Sequence, residues 1–249
     1  MADSVAASPS VQVSAGRGSP RAPIPYFHLG LAVLISAIVI LGFWPFYATI
    51  FTGEASAHPL IWAHAGVFTG WLVLLMAQTW LVARRRVGVH RRLGRFGIYY
   101  GFAVLLLGVF TAFGVPVNQV ATGGMTLDEA AGFLVLPLGD LVLFSLFFVP
   151  GVVHRKRPET HRRLMILAAV ALSFPGAARF GLEAGPAAIL AIWLLPLLLA
   201  MGHDVYTRGR PHRVYGLGLA VLLVGFGRVG LMEAEPWLVI GRRMLTPWL

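Results

Sequence analysis

Apolar residues dominate seven stretches of this 249-residue chain, approximately His28 to Phe51, Pro59 to Ala83, Arg92 to Pro116, Ala130 to Val153, His161 to Leu182, Pro186 to Tyr206 and His212 to Met232. Each comes close to the roughly 20 residues that an α-helix needs to cross the hydrocarbon core of a bilayer. The pattern predicts an all-α fold, an integral membrane bundle of seven transmembrane helices occupying residues 26–232.

The flanks read differently. Residues 1–25 are rich in Ala, Ser, Pro and Gly without apolar periodicity, which predicts a disordered cytoplasmic tail. The first apolar run is too long for the h-region of a signal peptide and reads as an uncleaved helix. Ala55-Ser56-Ala57 just after it resembles a cleavage site, and cleavage after Ala57 would leave six helices. Residues 233–249 carry Trp237 and Trp248 beside Arg242 and Arg243, the composition of an interfacial segment rather than an eighth span.

Composition agrees with lipid as the main solvent. Hydrophobic residues make up 57% of the chain and charged residues only 12%, against roughly 25% charged in a soluble domain. The net charge of +10 does not point to nucleic acid, because the basic residues form short clusters between apolar runs instead of one continuous face. Those clusters set the orientation. Arg84, Arg85, Arg86, Arg91, Arg92 and Arg95 follow the second segment; Arg155, Lys156, Arg157, Arg162 and Arg163 follow the fourth; Arg208, Arg210 and Arg213 follow the sixth. The other three connections have no Lys or Arg and carry Glu54, Asp128, Glu129 and Glu183. Basic residues concentrate on the cytoplasmic side, so the N-terminus is expected in the cytoplasm and the C-terminus outside.

Some chemistry is excluded outright. Without cysteine the chain has no thiolate nucleophile, disulfide relay or iron–sulfur ligation. Its one lysine, Lys156, lies in a loop, which rules out a retinal Schiff base in a span. Phosphate-binding glycine loops and H-E-x-x-H are absent, as is any His pair at i, i+4, which weakens a zinc-hydrolase reading.

What remains is a pattern of histidines and a few charges inside spans. The motif R-x-x-x-H-R occurs three times, around His90, His161 and His212, each time opening an odd-numbered segment. Topology alone would repeat arginines this way; the functional alternative is that imidazoles at one depth build a common site. His203, Asp204 and His212 at the same boundary form a candidate metal set, in which Asp204 orients His203 or simply caps its helix. Asp140 falls near the middle of the fourth segment with no neighbour to pair with, and is read either as a protonated structural residue or as a proton relay, with Gln78 and Thr79 as candidate partners. Arg179 and Arg228 are counted toward the outer interface, where they snorkel or, with His64 and Trp62, hold an anionic group such as a haem propionate.

The segments His90-Arg91-Arg92-Leu93-Gly94-Arg95 and Arg157-Pro158-Glu159-Thr160-His161-Arg162-Arg163-Leu164-Met165, with Ala178-Arg179, resemble a widespread group of bacterial predicted membrane proteins of unknown function. That resemblance implies a multi-pass protein of the bacterial inner membrane. More distantly, the chain is similar to the b-type haem electron carriers of the four-helix cytochrome b class reducible by ascorbate. This second likeness implies His90 and His161 as axial ligands of one haem b near the cytoplasmic face. It does not extend to a second haem, because His64 finds no histidine at the outer end of the fourth segment.

Three functions are therefore carried forward. The first is a haem-binding redox component, with a quinone or a redox protein as partner, ligated by His90 and His161 and with His64, Arg179 and Arg228 near an outer pocket. The second is a proton- or metal-coupled transporter relayed through Asp140. The third is a non-catalytic scaffold or assembly factor.

Overall fold

The computed structural model describes residues 26–53, 58–181 and 183–249. The expected N-terminal tail, Glu54 and the Ala55-Ser56-Ala57 sequence lie outside them. The described residues form helices α1 (Phe27–Phe51), α2 (Pro59–Ala83), α3 (Val87–Ala121), α4 (Leu127–Val153), α5 (Pro158–Leu172), α6 (Phe174–Gly181), α7 (Pro186–Arg208), α8 (Arg213–Phe226) and α9 (Glu235–Leu245), with short 3-10 turns at Gly227–Leu231 and Thr246–Trp248. No strand occurs among them. Among the described residues six helices are long and apolar enough to cross a membrane: α1, α2, α3, α4, α7 and α8 with its following turn.

The fifth expected segment is broken rather than continuous. Helices α5 and α6 meet at Ser173 with a 46° bend. Pro175 supplies the cause, since it has no N–H to donate and its ring crowds the carbonyl four residues earlier. At the break the Val170 carbonyl accepts from Ser173 N (3.1 Å), Ser173 Oγ (2.8 Å) and Trp193 Nε1 (2.7 Å).

Helix ends are fixed by local chemistry. Thr126 and Glu129 form a reciprocal capping box at the start of α4, with Glu129 N donating to Thr126 Oγ1 at 3.2 Å and Thr126 N donating to Glu129 Oε2 at 2.8 Å. Proline stands in the first turn of α2, α5, α7 and α9, where its missing N–H costs nothing. Helix α3 runs five residues further at each end than its apolar core, because His90 and Arg91 before Arg92, and Asn118 and Gln119 after Pro116, interrupt the apolar run yet remain helical.

Helix α4 forms the centre of the bundle. Half of its most apolar stretch is buried inside the protein, against 17% for α2. The core around it contains Trp71, Phe144, Phe148, Leu167, Trp193 and Tyr215. Small residues bring helices together where lipid gives no hydrophobic drive for association. At the α1–α6 crossing a Cβ on Gly42 would fall 2.3 Å from the Gly176 carbonyl oxygen, so only glycine fits there.

Helix α9 has 11 residues, too few to span a bilayer, and lies against α4. Trp237 Nε1 donates to Ala131 O (2.8 Å), and Arg242 binds Asp128 through Nε (2.5 Å) and Nη2 (3.0 Å).

Candidate functional site

The α2–α3, α4–α5 and α7–α8 connections carry the arginines, and most of the histidines gather at this basic end of the bundle. His90 lies in the first turn of α3 and His161 in the first turn of α5. Although 71 positions apart, their rings come together, with centroids 6.4 Å apart and planes at 74°.

Hydrogen bonds prepare these imidazoles unequally. His161 Nδ1 faces the Gly151 carbonyl at 2.8 Å. A carbonyl only accepts, so Nδ1 carries a proton, and in the neutral form of the ring the lone pair lies on Nε2, the arrangement in which metal-binding histidines are usually held. His90 Nδ1 lies 2.7 Å from the side-chain amide of Gln78. With its nitrogen toward the ring, that amide donates to His90 Nδ1 and to the His90 carbonyl (3.2 Å) and accepts from Gly94 N (2.9 Å). In this orientation Nδ1 accepts, so the proton of the neutral ring sits on Nε2; turning the amide over would set its oxygen against the His90 carbonyl and its nitrogen against Gly94 N, losing both of those bonds. Gln78 therefore serves His90 rather than Asp140, and Thr79 donates to its own helix at Leu75 O and Met76 O.

A haem b can be tested against this pair. Two imidazoles that bind one metal from opposite sides at nitrogen–metal distances near 2 Å have ring centres about 6 Å apart. The observed spacing and the Nε2 of His161 fit that requirement, while His90 fits only if the Gln78 amide gives up its bonds to the His90 carbonyl and to Gly94 N.

The third copy of the repeat is not equivalent. His212 is the N-cap of α8, and its Nδ1 accepts from Val214 N at 3.2 Å. Burial, with Arg163 and Arg208 nearby, lowers its pKa below the ordinary histidine value, opposed by Asp204 and Glu159. The expected metal set does not assemble, since among the described residues no group of three or more His, Asp or Glu side chains is arranged to hold a metal ion. Asp204 does not orient His203. Its oxygens take Arg163 Nε (2.9 Å), Arg163 Nη2 (2.5 Å) and His212 N (3.1 Å). His203 instead stacks on Phe27, with ring centroids 4.0 Å apart, and lies edge-on to His28.

Arg163 is the functional-looking residue that topology concealed. It sits in a basic cluster, yet its residue exposure is 0%. Besides Asp204 it holds Glu159 through Nη1, at 2.8 Å to the carbonyl and 2.6 Å to Oε2, and Glu159 also binds Arg162 and Arg208. The only sequence signal was the i, i+4 spacing of Glu159 and Arg163.

In the middle of the bundle Asp140 has a partner after all. Arg228, in the 3-10 turn beyond α8, donates through Nη2 to Asp140 Oδ1, and both side chains are buried. Arg228 Nη1 donates to Gly225 O (2.7 Å), while the guanidinium lies 4.5 Å above the Phe174 ring. Thus Arg228 is not in an outer pocket. Arg179 is elsewhere, over Phe43 at 4.0 Å and donating to Pro175 O, and His64 stacks on Phe68 with its Nδ1 buried and unpartnered. The outer anion pocket expected from Arg179, Arg228 and His64 is accordingly not drawn together by any of these contacts.

Compared with protein-family models, curated proteins and solved structures, the chain matches none of them significantly.

Proposed function

We propose that this protein is a seven-span redox component of the bacterial inner membrane that binds one b-type haem at the basic end of the bundle, with His90 and His161 as axial ligands. The observation that carries this reading is the approach of the two imidazoles from separate helices, at a spacing suited to one metal between them. Counting the bent α5–α6 pair as one crossing gives the seven spans. The basic connections then face the cytoplasm, as does the N-terminus, and the C-terminus lies outside. When bound, a haem would supply a one-electron carrier near the cytoplasmic surface, with a quinone or a redox protein as exchange partner. The protein's own contribution is to hold His161 by the Gly151 carbonyl and His90 by Gln78. Absorption spectroscopy of protein purified from haem-replete cells tests the assignment.

A second reading has its own observation in support. The Asp140–Arg228 pair adjoins the break between α5 and α6, since Arg228 lies over Phe174, the first residue after the break. Interrupted helices beside buried charges are how many proton-coupled transporters build their central site. Reconstituted Asp140→Asn protein that supports the same proton flux as wild type would exclude this reading.

A further inference from the structure

Helix α3 meets the rest of the bundle with one side. Gly94 and Gly97 lie against Gln78 and Leu74 of α2, and Gly101 and Gly108 lie against Phe148 and Leu141 of α4. Residues three or four apart share a helix face, so these glycines mark the packed one. The opposite face carries a second series at the same spacing, Arg92, Arg95, Tyr99, Phe102, Leu106 and Phe110. Every member is exposed, Tyr99 at 76% and Leu106 at 62%. In a bilayer this face meets lipid.

The exposed series changes character with depth. Helix α3 starts at the basic end, so the two arginines come first, Tyr99 follows about 6 Å below Arg95 at helical rise, and the three apolar side chains continue toward the membrane centre. Among the described residues no hydrogen bond or ion pair reaches the side chain of Arg92 or Arg95, whereas Arg162, Arg163 and Arg208 at the same end share Glu159. The Tyr99 hydroxyl has no partner among them either. Two like charges one helical turn apart repel each other, and an anion between them removes that cost.

Charge selects the occupant. A second copy inserted the same way round and related by a two-fold axis along the membrane normal would bring residues of equal depth together, setting Arg92 and Arg95 against their own counterparts. A zwitterionic lipid would add an ammonium group beside two guanidiniums. A lipid whose head carries only a phosphate charge meets neither objection, and guanidinium groups match phosphate oxygens with paired hydrogen bonds. The order of groups along α3 also follows the order along such a lipid: phosphate, then ester, then acyl chain. We propose that this face of α3 binds an anionic phospholipid of the phosphatidylglycerol class, its phosphate held between Arg92 and Arg95, its ester region at the Tyr99 hydroxyl and an acyl chain along Phe102, Leu106 and Phe110. The site is separate from the His90–His161 pair and does not rest on haem binding.

The chain has no cysteine, so a fluorophore can be placed at one position of this face. Ala103→Cys serves, being exposed on α3 and about 12 Å deeper than Arg95, at the level of the acyl chains. The labelled full chain is reconstituted in phosphatidylcholine vesicles in which a minor fraction of the lipid is mid-chain-brominated phosphatidylglycerol or, for comparison, equally brominated phosphatidylcholine. Quenching by the two probes gives their relative association constant at this position, which should favour phosphatidylglycerol at least threefold. Arg92→Gln/Arg95→Gln should bring the ratio close to one while quenching by the phosphatidylcholine probe is retained, showing that the helix still faces lipid. Lys156→Gln/Arg210→Gln removes the same charge from the other two basic connections and should leave the preference in place. A ratio near one in the unsubstituted face would overturn the proposal. Equal loss of preference in the two double variants would also overturn it, because the attraction would then belong to the basic end as a whole. Protection of the label from both probes would mean that protein, such as a second copy, covers the face, and would overturn it as well.

Discussion

Arg163 on α5 grips Asp204 on α7 through two hydrogen bonds, of 2.9 and 2.5 Å, with side-chain exposures of 1% and 4%. Such a pair is asymmetric in its energetics. Removing one ion strands the other in a dry site, whereas replacing both by apolar groups of similar size can be neutral. Arg163→Met should therefore destabilise the protein by about 3–5 kcal/mol, and Arg163→Met/Asp204→Leu by clearly less. Thermal unfolding in detergent, compared across the single and double variants, measures the difference. Equal losses would mean that the ion pair is not what joins these helices.

His212 gives a pH dependence with a definite sign. Its Nδ1 accepts from Val214 N, so the cap requires the neutral ring, and the folded-state pKa lies below the ordinary 6.5. The unfolded chain binds the proton more readily. This contribution to stability is present above pH 6.5 and is lost as pH falls below that value, levelling off beneath the folded pKa. His212→Asn keeps a capping acceptor that does not titrate. The variant should lose less stability than wild type between pH 7.5 and 5.5, and identical losses would contradict the capping role.

Much of the architecture was legible because two signals, apolar run length and the alternation of basic and non-basic connections, report on the same crossings. The bend between α5 and α6 was legible only as a proline, since Pro175 marks a kink without revealing whether helix resumes at the same angle. The Asp140–Arg228 pair was missed through depth reckoning. Thirteen residues separate Asp140 from the basic end of α4 and fifteen separate Arg228 from the basic end of α8, or about 20 and 22 Å at helical rise. The two are level, yet assigning one to the midplane and the other to the outer interface concealed it. Arg163 was hidden for a different reason, because burial within a basic cluster depends on the position of α7, which no local pattern encodes. The R-x-x-x-H-R repeat put His90, His161 and His212 at one depth, but which two of the three meet depends on helix packing that the repeat does not encode.

Gln78 should matter to metal binding at a distance from the metal. Side chains that orient a ligating histidine typically change metal affinity by about 10–100-fold when removed. Gln78→Leu, which keeps the volume but loses the amide, should raise haem retention by a factor in that range, because the amide donates to His90 Nδ1 and so keeps the ring proton on Nε2, and should lower the thermal stability of the haem-free protein through the three hydrogen bonds lost between α2 and α3. Retention unchanged in this variant would show that the His90 Nδ1 partner plays no part in holding the metal.

The most direct test is the visible spectrum of the protein purified from haem-replete cells, recorded oxidised and then reduced with dithionite. The account predicts a Soret band that shifts on reduction, with sharp bands from six-coordinate haem, and its loss or conversion to a five-coordinate form in both His90→Ala and His161→Ala. A featureless spectrum from folded protein, or a haem signal that survives both substitutions unaltered, would contradict the assignment of these two imidazoles as the ligands.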